Sequence, residues 1–247
     1  MITNILLFIA VLQGLAISTF AWLERAESRT AKLLFSALIT SFSLTLLNSL
    51  LDRLDFFTNH PKLYFLPIYF THAFGPLLFF YTKSSLYPQF RLHLRDLKHF
   101  LLPIAQSSFF FFTFFDSPSQ KEWLWRNDYS LLYGTFAYPL YVFSFTVYSY
   151  FAYRFVRHRI RSIPHIELTA LQQRSIFRLK ELLKILYFLL LINTYIIVLH
   201  FCLYQFFSIN LYNSHLYVVV KDLSFAVMIF WIGLYGYRKL IRDRVGV

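Results

Sequence analysis

Long apolar runs separated by short polar segments fill the chain from end to end. They cover residues 2–23, 31–51, 63–83, 98–116, 130–155, 183–207 and 216–239. A hydrocarbon core of roughly 30 Å is crossed by about 20 residues of helix, and a helix satisfies its own backbone groups in lipid. The pattern therefore predicts an all-α, polytopic membrane protein, with residues 1–247 forming one seven-transmembrane helix bundle. The fourth run is short, but it contains FFFFTFF (109–115) and carries no charge from Phe100 to Phe115. The first run has no positive segment before it and no small-residue cleavage motif, so it reads as a retained span and not as a cleaved signal peptide.

The polar segments set the orientation. The segments after runs one, three and five, together with the tail, hold 19 Lys and Arg. The opposite side holds 4: Arg53, Lys62, Lys121 and Arg126. Lys and Arg near span ends stay on the cytoplasmic side, which places the N-terminus outside and the C-terminus in the cytoplasm. Trp123 and Trp125 then fall in an outer segment, where indoles suit the interface. Residues 169–184 place Leu171, Ile176, Leu179, Leu182 and Leu183 at helical spacing among Arg and Lys, predicting that the sixth helix begins as an amphipathic cytoplasmic extension.

Composition agrees. The chain is 57% hydrophobic, 21% aromatic and only 15% charged, against about 25% charged in a typical soluble domain. The net charge of +12 lies between apolar runs, as membrane loops require, and not on one face as nucleic-acid binding requires. A single cysteine, Cys202, excludes an internal disulfide framework. There is no GxSxG, HExxH, CxxC, P-loop or Gly-rich dinucleotide turn, so the chain is expected not to be an enzyme. No cofactor and no metal site is expected. The inverted repeat that marks many secondary transporters is also missing.

Ionisable residues inside spans are costly and are therefore candidates for function. Lys221 and Asp222 stand about one turn into the seventh run. A lysine snorkelling beside a local counter-ion accounts for them, as does a ligand site facing the bundle. His72 and His200 are lone imidazoles among aromatic residues, and Asn193 is a lone amide. All three fit interhelical hydrogen bonding as well as ligand contact. Asn48, Gln106 and Gln205 read in the same way. Gly75-Pro76 predicts a bend in the third helix, since Pro removes one backbone bond and Gly permits close approach; Pro139 does the same for the fifth.

Residues 71–103 carry a resemblance. Gly75-Pro76-Leu77-Leu78, then Tyr81, then a short basic link, then His99-Phe100 and Pro103, resembles the stretch shared by the membrane-embedded N-terminal sensor regions of some bacterial AraC-type helix-turn-helix regulators. LLFIAVLQGLAISTF near the start, ALITSFSLTLL in the second run and WIGLYGYRKL in the seventh are similar too, so the likeness spans the chain. It implies a seven-helix sensor in the bacterial inner (cytoplasmic) membrane with its output end inside the cell. In those regulators a DNA-binding domain follows the seventh helix, whereas this sequence stops at Val247. Direct nucleic-acid binding by this chain is therefore not expected.

The resulting expectation is a non-enzymatic signalling module that passes an external or membrane cue to its basic cytoplasmic face, with membrane lipids and a protein partner or second copy as its neighbours. The alternatives are an accessory subunit of a larger membrane complex and a small-solute transporter.

Overall fold

The computed structural model describes residues 2–23, 28–125, 136–162, 169–211 and 214–245, with the side chains of 170, 171, 205 and 238–245 excepted. The helices are α1 (Ile2–Leu23), α2 (Arg29–Arg53), α3 (Phe56–Asn59), α4 (Phe74–Leu86), α5 (Leu101–Phe114), α6 (Pro118–Leu124), α7 (Tyr138–Arg161), α8 (Ala170–Phe207) and α9 (His215–Val245). The described residues contain no strand. Among the described residues four helical stretches are long and apolar enough to cross a membrane: Ile2–Leu23, Arg29–Arg53, Gln172–Tyr204 and His215–Tyr237.

The helices close a circuit in the order α1, α2, α4, α7, α8, α9 and back to α1, and α9 also touches α2 across it. Lipid tails are as apolar as leucine, so packing and hydrogen bonds hold such a circuit together. Its centre is aromatic. Phe42 of α2 and Phe74 of α4 stack with ring centroids 3.9 Å apart and planes 8° from parallel. Phe145 of α7 meets both edge-on, at 5.9 and 5.8 Å, and Phe225 of α9 lies 5.2 Å from Phe42. Four helices thus converge on one cluster of rings.

Small residues bring α1 against its neighbours. Ser18 Oγ donates to the Ser36 carbonyl at 3.0 Å and Ser36 Oγ donates to the Ser18 carbonyl at 2.9 Å, a reciprocal clamp between α1 and α2. One turn earlier, Gly14 lets the helices approach so closely that a Cβ there would collide with Ser43 and press on Ile229 of α9.

The run expected as one helix over 63–83 is broken; α-helix begins only at Phe74. Pro67 lacks an N–H and drives Leu66 out of the helical region, and Phe65 adopts a left-handed φ of 58°. Short 3₁₀ turns at Pro61–Leu63 and Thr71–Ala73 flank the irregular path. Pro76 consequently falls on the third residue of α4, where its missing N–H breaks no helical bond, so the bend expected at Gly75-Pro76 is a helix start. Pro139 is the second residue of α7, directly after the π-helical residues 136–137. The run 98–116 is entered through a 3₁₀ turn, Leu94–Phe100, before α5. Residues 130–135 of the fifth run, with Tyr133, lie outside the described residues.

The helical extension expected at the start of α8 is present. Thr169 and Gln172 form a reciprocal capping box at its start, and Ile176, Leu179, Leu182 and Leu183 are buried where α8 packs on α7. At the other end of the molecule α6 is pinned by Lys121. Its buried ammonium donates to the Lys62 carbonyl at 2.8 Å and lies 4.6 Å from the Phe114 ring centroid. Burial pushes this lysine below its ordinary pKa. Helix α5 stays outside the circuit and exposes Leu101, Phe111, Phe112 and Phe115.

The close approach at Gly14 is testable. Gly14→Val should cost about 1–3 kcal/mol, as overpacking of a filled interface does. Thermal unfolding of the detergent-solubilised protein checks it, and an unchanged midpoint would show that α1 and α2 can part without loss.

Candidate functional site

A cavity of about 650 Å³ lies between α2, α8, α9 and the irregular segment before α4. Its wall follows from the broken run. Non-helical backbone at membrane depth survives only where it is buried in protein or lines a cavity. Here Phe65, Tyr69 and Thr71 do line one. Other helices supply the missing partners. Thr45 Oγ1 of α2 accepts the Phe70 N–H at 3.0 Å, and Gln106 Oε1 of α5 accepts the His72 N–H at 3.2 Å. Gln106 Nε2 also donates to Thr71 Oγ1 at 2.9 Å.

Eleven aromatic residues line the cavity, among them Tyr64, Trp125, Tyr138, Tyr141 and Phe201. Against this apolar wall stand four charged groups: Asp52 and Arg53 at the end of α2, and Lys221 and Asp222 near the start of α9. Asp222 is 5% exposed and sits between two cations. Arg53 Nη1 donates to its Oδ2 at 3.2 Å, and Lys221 Nζ lies 3.6 Å from its Oδ1. The second Arg53 nitrogen, Nη2, is 3.3 Å from His215 Nε2. Arg53 therefore ties α2 to α9 at two points about two turns apart.

Four of the five expected ligand residues meet here. Asn193, His200, Lys221 and Asp222 all line the cavity. Asn193 is buried and its Nδ2 donates to Ser224 Oγ at 2.8 Å, which in turn donates to the Lys221 carbonyl at 2.7 Å. This fixes α8 against α9 as an interhelical amide should. The His200 ring lies 5.4 Å from that of Tyr217 and 6.1 Å from that of Tyr204. His72 does not line the cavity. It is buried beside Thr71, and its Nδ1 has no hydrogen-bond partner among the described residues.

The residues of the 71–103 motif gather elsewhere. A Cβ on Gly75 would collide with the Tyr148 ring of α7, and the Tyr148 hydroxyl shares a hydrogen bond of 2.7 Å with His99 Nδ1. Tyr81 is fully buried with its ring centroid 4.8 Å from Phe35, and Pro103 is buried in the first turn of α5. This cluster joins α4, α5 and α7 and is a packing feature.

Sequence reading missed Asp52 and Arg53 as site residues, because Arg53 counted only as loop charge. Their signal was available: under the charge asymmetry the end of the second run and the start of the seventh lie on the same side of the membrane. Among the described residues no group of three or more His, Cys, Asp or Glu is placed to hold a metal ion. Comparison with protein-family models, curated proteins and solved structures finds no match for this chain.

The ion cluster makes a quantitative expectation. Arg53→Met leaves Asp222 with Lys221 alone. Breaking a buried pair costs about 3–5 kcal/mol, and the remaining lysine reduces this to about 1–3 kcal/mol. Combining it with Asp222→Leu should recover more than half of the loss in a thermal-unfolding double-mutant cycle. Additive losses would mean the two side chains do not act together.

Proposed function

We propose that the chain is a seven-span sensor of the bacterial inner membrane, N-terminus outside, that binds a small-molecule cue in the cavity between α2, α8 and α9. The observation that carries this reading is the convergence of Asn193, His200, Lys221 and Asp222 with Arg53 and an irregular backbone segment on one aromatic-walled space. In this reading the third, fourth and fifth runs also cross the bilayer, completing the topology expected from the loop charges. The likeness of residues 71–103 to sensor regions of AraC-type regulators belongs to the same reading.

The cue acts by preferring one helix arrangement over another, which it does only through a difference in affinity for the two. Helix α8 offers a route. It runs from the cavity to residue 170 with neither Pro nor Gly, a rod of about 45 Å from His200 at 1.5 Å per residue. A change in tilt at the cavity is carried along α8 to the Arg and Lys residues of its first turns, Arg174, Arg178, Lys180 and Lys184, beside the basic end of α7. The chain carries no catalytic step in this reading.

Two measurements test the proposal. In a Cys202→Ser background, Ser119→Cys should react with an impermeant maleimide in intact spheroplasts, and Gln89→Cys only after permeabilisation. The opposite pattern would overturn the orientation. Mass spectrometry of small molecules released from the chain purified in mild detergent should find one retained by the native protein and lost from Ser49→Trp, which fills the cavity. Recovery of a stoichiometric membrane protein with no small molecule would replace the sensor with an accessory subunit.

A further inference from the structure

We propose that the ends of α4 and α7 form a site for the phosphate of an anionic phospholipid, with Lys83 and Arg159 as its cations. None of its residues lines the cue cavity, so the inference goes beyond the sensor reading and rests only on the chain being embedded in a membrane. Helices α4 and α7 pack on one another. On α4, Phe79 and Lys83 stand four residues apart on one face, and Tyr87 follows at the helix end. On α7, Phe151, Phe155 and Arg159 repeat the same spacing. The two faces meet, with the Phe155 ring 6.4 Å from that of Phe79 and 5.7 Å from that of Tyr87. Each stripe leads to a cation, and each cation rests on a ring. Lys83 Nζ is 4.4 Å from the Phe90 centroid, and the Arg159 guanidinium carbon is 5.0 Å from that of Tyr87.

Neither cation has an anion. Among the described residues no hydrogen bond or ion pair engages the Lys83 ammonium or the Arg159 guanidinium, and Arg159 Nε is shielded from solvent with no acceptor. The charge around them is unbalanced. Helix α7 ends in Arg154, Arg157, Arg159 and Arg161 and contains no acid. From Lys83 to Phe100 the basic residues are Lys83, Arg91, Arg95 and Lys98, and Asp96 is the one acid. Its carboxylate is already occupied, accepting the His93 N–H at 2.9 Å. An arginine fork matches the oxygens of a phosphate, and a lysine adds a point charge. The apolar stripe selects a lipid as the source of that phosphate. Phe151 is exposed and Phe155 only partly buried, a surface that fits an acyl chain and gives a soluble phosphate nothing. A zwitterionic lipid would bring its own ammonium to this excess of cations, which a net-negative headgroup does not.

Native mass spectrometry of the intact chain in mild detergent counts the lipids retained when phosphatidylglycerol, or phosphatidylcholine with the same acyl chains, is added. A phosphatidylglycerol should be held more tightly than any further copies, and phosphatidylcholine should not replace it. Lys83→Gln with Arg159→Gln should weaken that lipid by about tenfold or more, the loss of charge-assisted contacts. Arg91→Gln with Arg95→Gln removes the same charge from exposed side chains of the same basic segment and should change it by less than about threefold, as screened charges do. Equal weakening by both pairs would show diffuse attraction and overturn the site. Equal retention of phosphatidylcholine would overturn the anionic class. Displacement of the lipid by glycerol 3-phosphate at matched concentration would make this a site for soluble phosphates and overturn the lipid. Retention of neither lipid would overturn the whole proposal. If the double variant melts earlier in lipid-free detergent, Arg159→Lys decides instead. It keeps the charge but loses the fork, so it should still weaken the lipid, and unchanged binding would overturn the role of Arg159. None of these outcomes bears on the cavity, whose ligand is tested separately by Ser49→Trp.

Discussion

A buried peptide group must find a partner inside the protein, and the segment from Phe65 to Ala73, which is not α-helix, finds some of its partners in distant side chains. Two of its amides, those of Phe70 and His72, are taken by side chains from two other elements, Thr45 of α2 and Gln106 of α5. The consequence spreads outward. Because the segment leaves the helical path, its Phe65, Tyr69 and Thr71 line the cavity. Because Thr45 and Gln106 are committed to it, α2 and α5 are held at the distances those bonds allow. The aromatic stack of Phe42 on Phe74 then fixes where regular helix resumes.

The electrostatics follow the same geometry. Asp222 is tolerable at 5% exposure because Arg53 and Lys221 flank it, and Arg53 can reach it only because α2 ends at the level where α9 begins. A buried ion pair is weak support for stability in general. Its structural effect here is specific: it sets the register of α2 against α9 at one end of the bundle, while the serine clamp of Ser18 and Ser36 sets α1 against α2 further along.

The sequence was legible where a single physical demand dominated. Apolar length marked the four helical stretches with membrane-spanning length and composition, and the spacing of Ile176, Leu179, Leu182 and Leu183 marked the buried face of the α8 extension. Asn193 was legible as an interhelical donor because a lone amide in lipid has few other options. The break before α4 was not read, although Pro67 was visible, because the run 63–83 satisfies the length criterion regardless of its backbone path. Its side-chain partners stand 25 and 34 positions away along the chain, which no local pattern reports. Arg53 escaped for a related reason. Its role depends on a partner 169 residues distant, and charge counting treats every arginine at a span end alike.

The contact between α1 and α9 joins the first described helix to the last. Gly233 and Gly236 of α9 face Gln13 and Ile17 of α1, with no room for a side chain on either glycine. The circuit is thus completed by its final member, which also brings Lys221 and Asp222 to the cavity wall. During synthesis the early helices can enter the bilayer and pair by their serine clamp long before a binding space exists. The cavity is assembled last, because Lys221, Asp222 and Phe225 reach its wall only once the closing helix has docked.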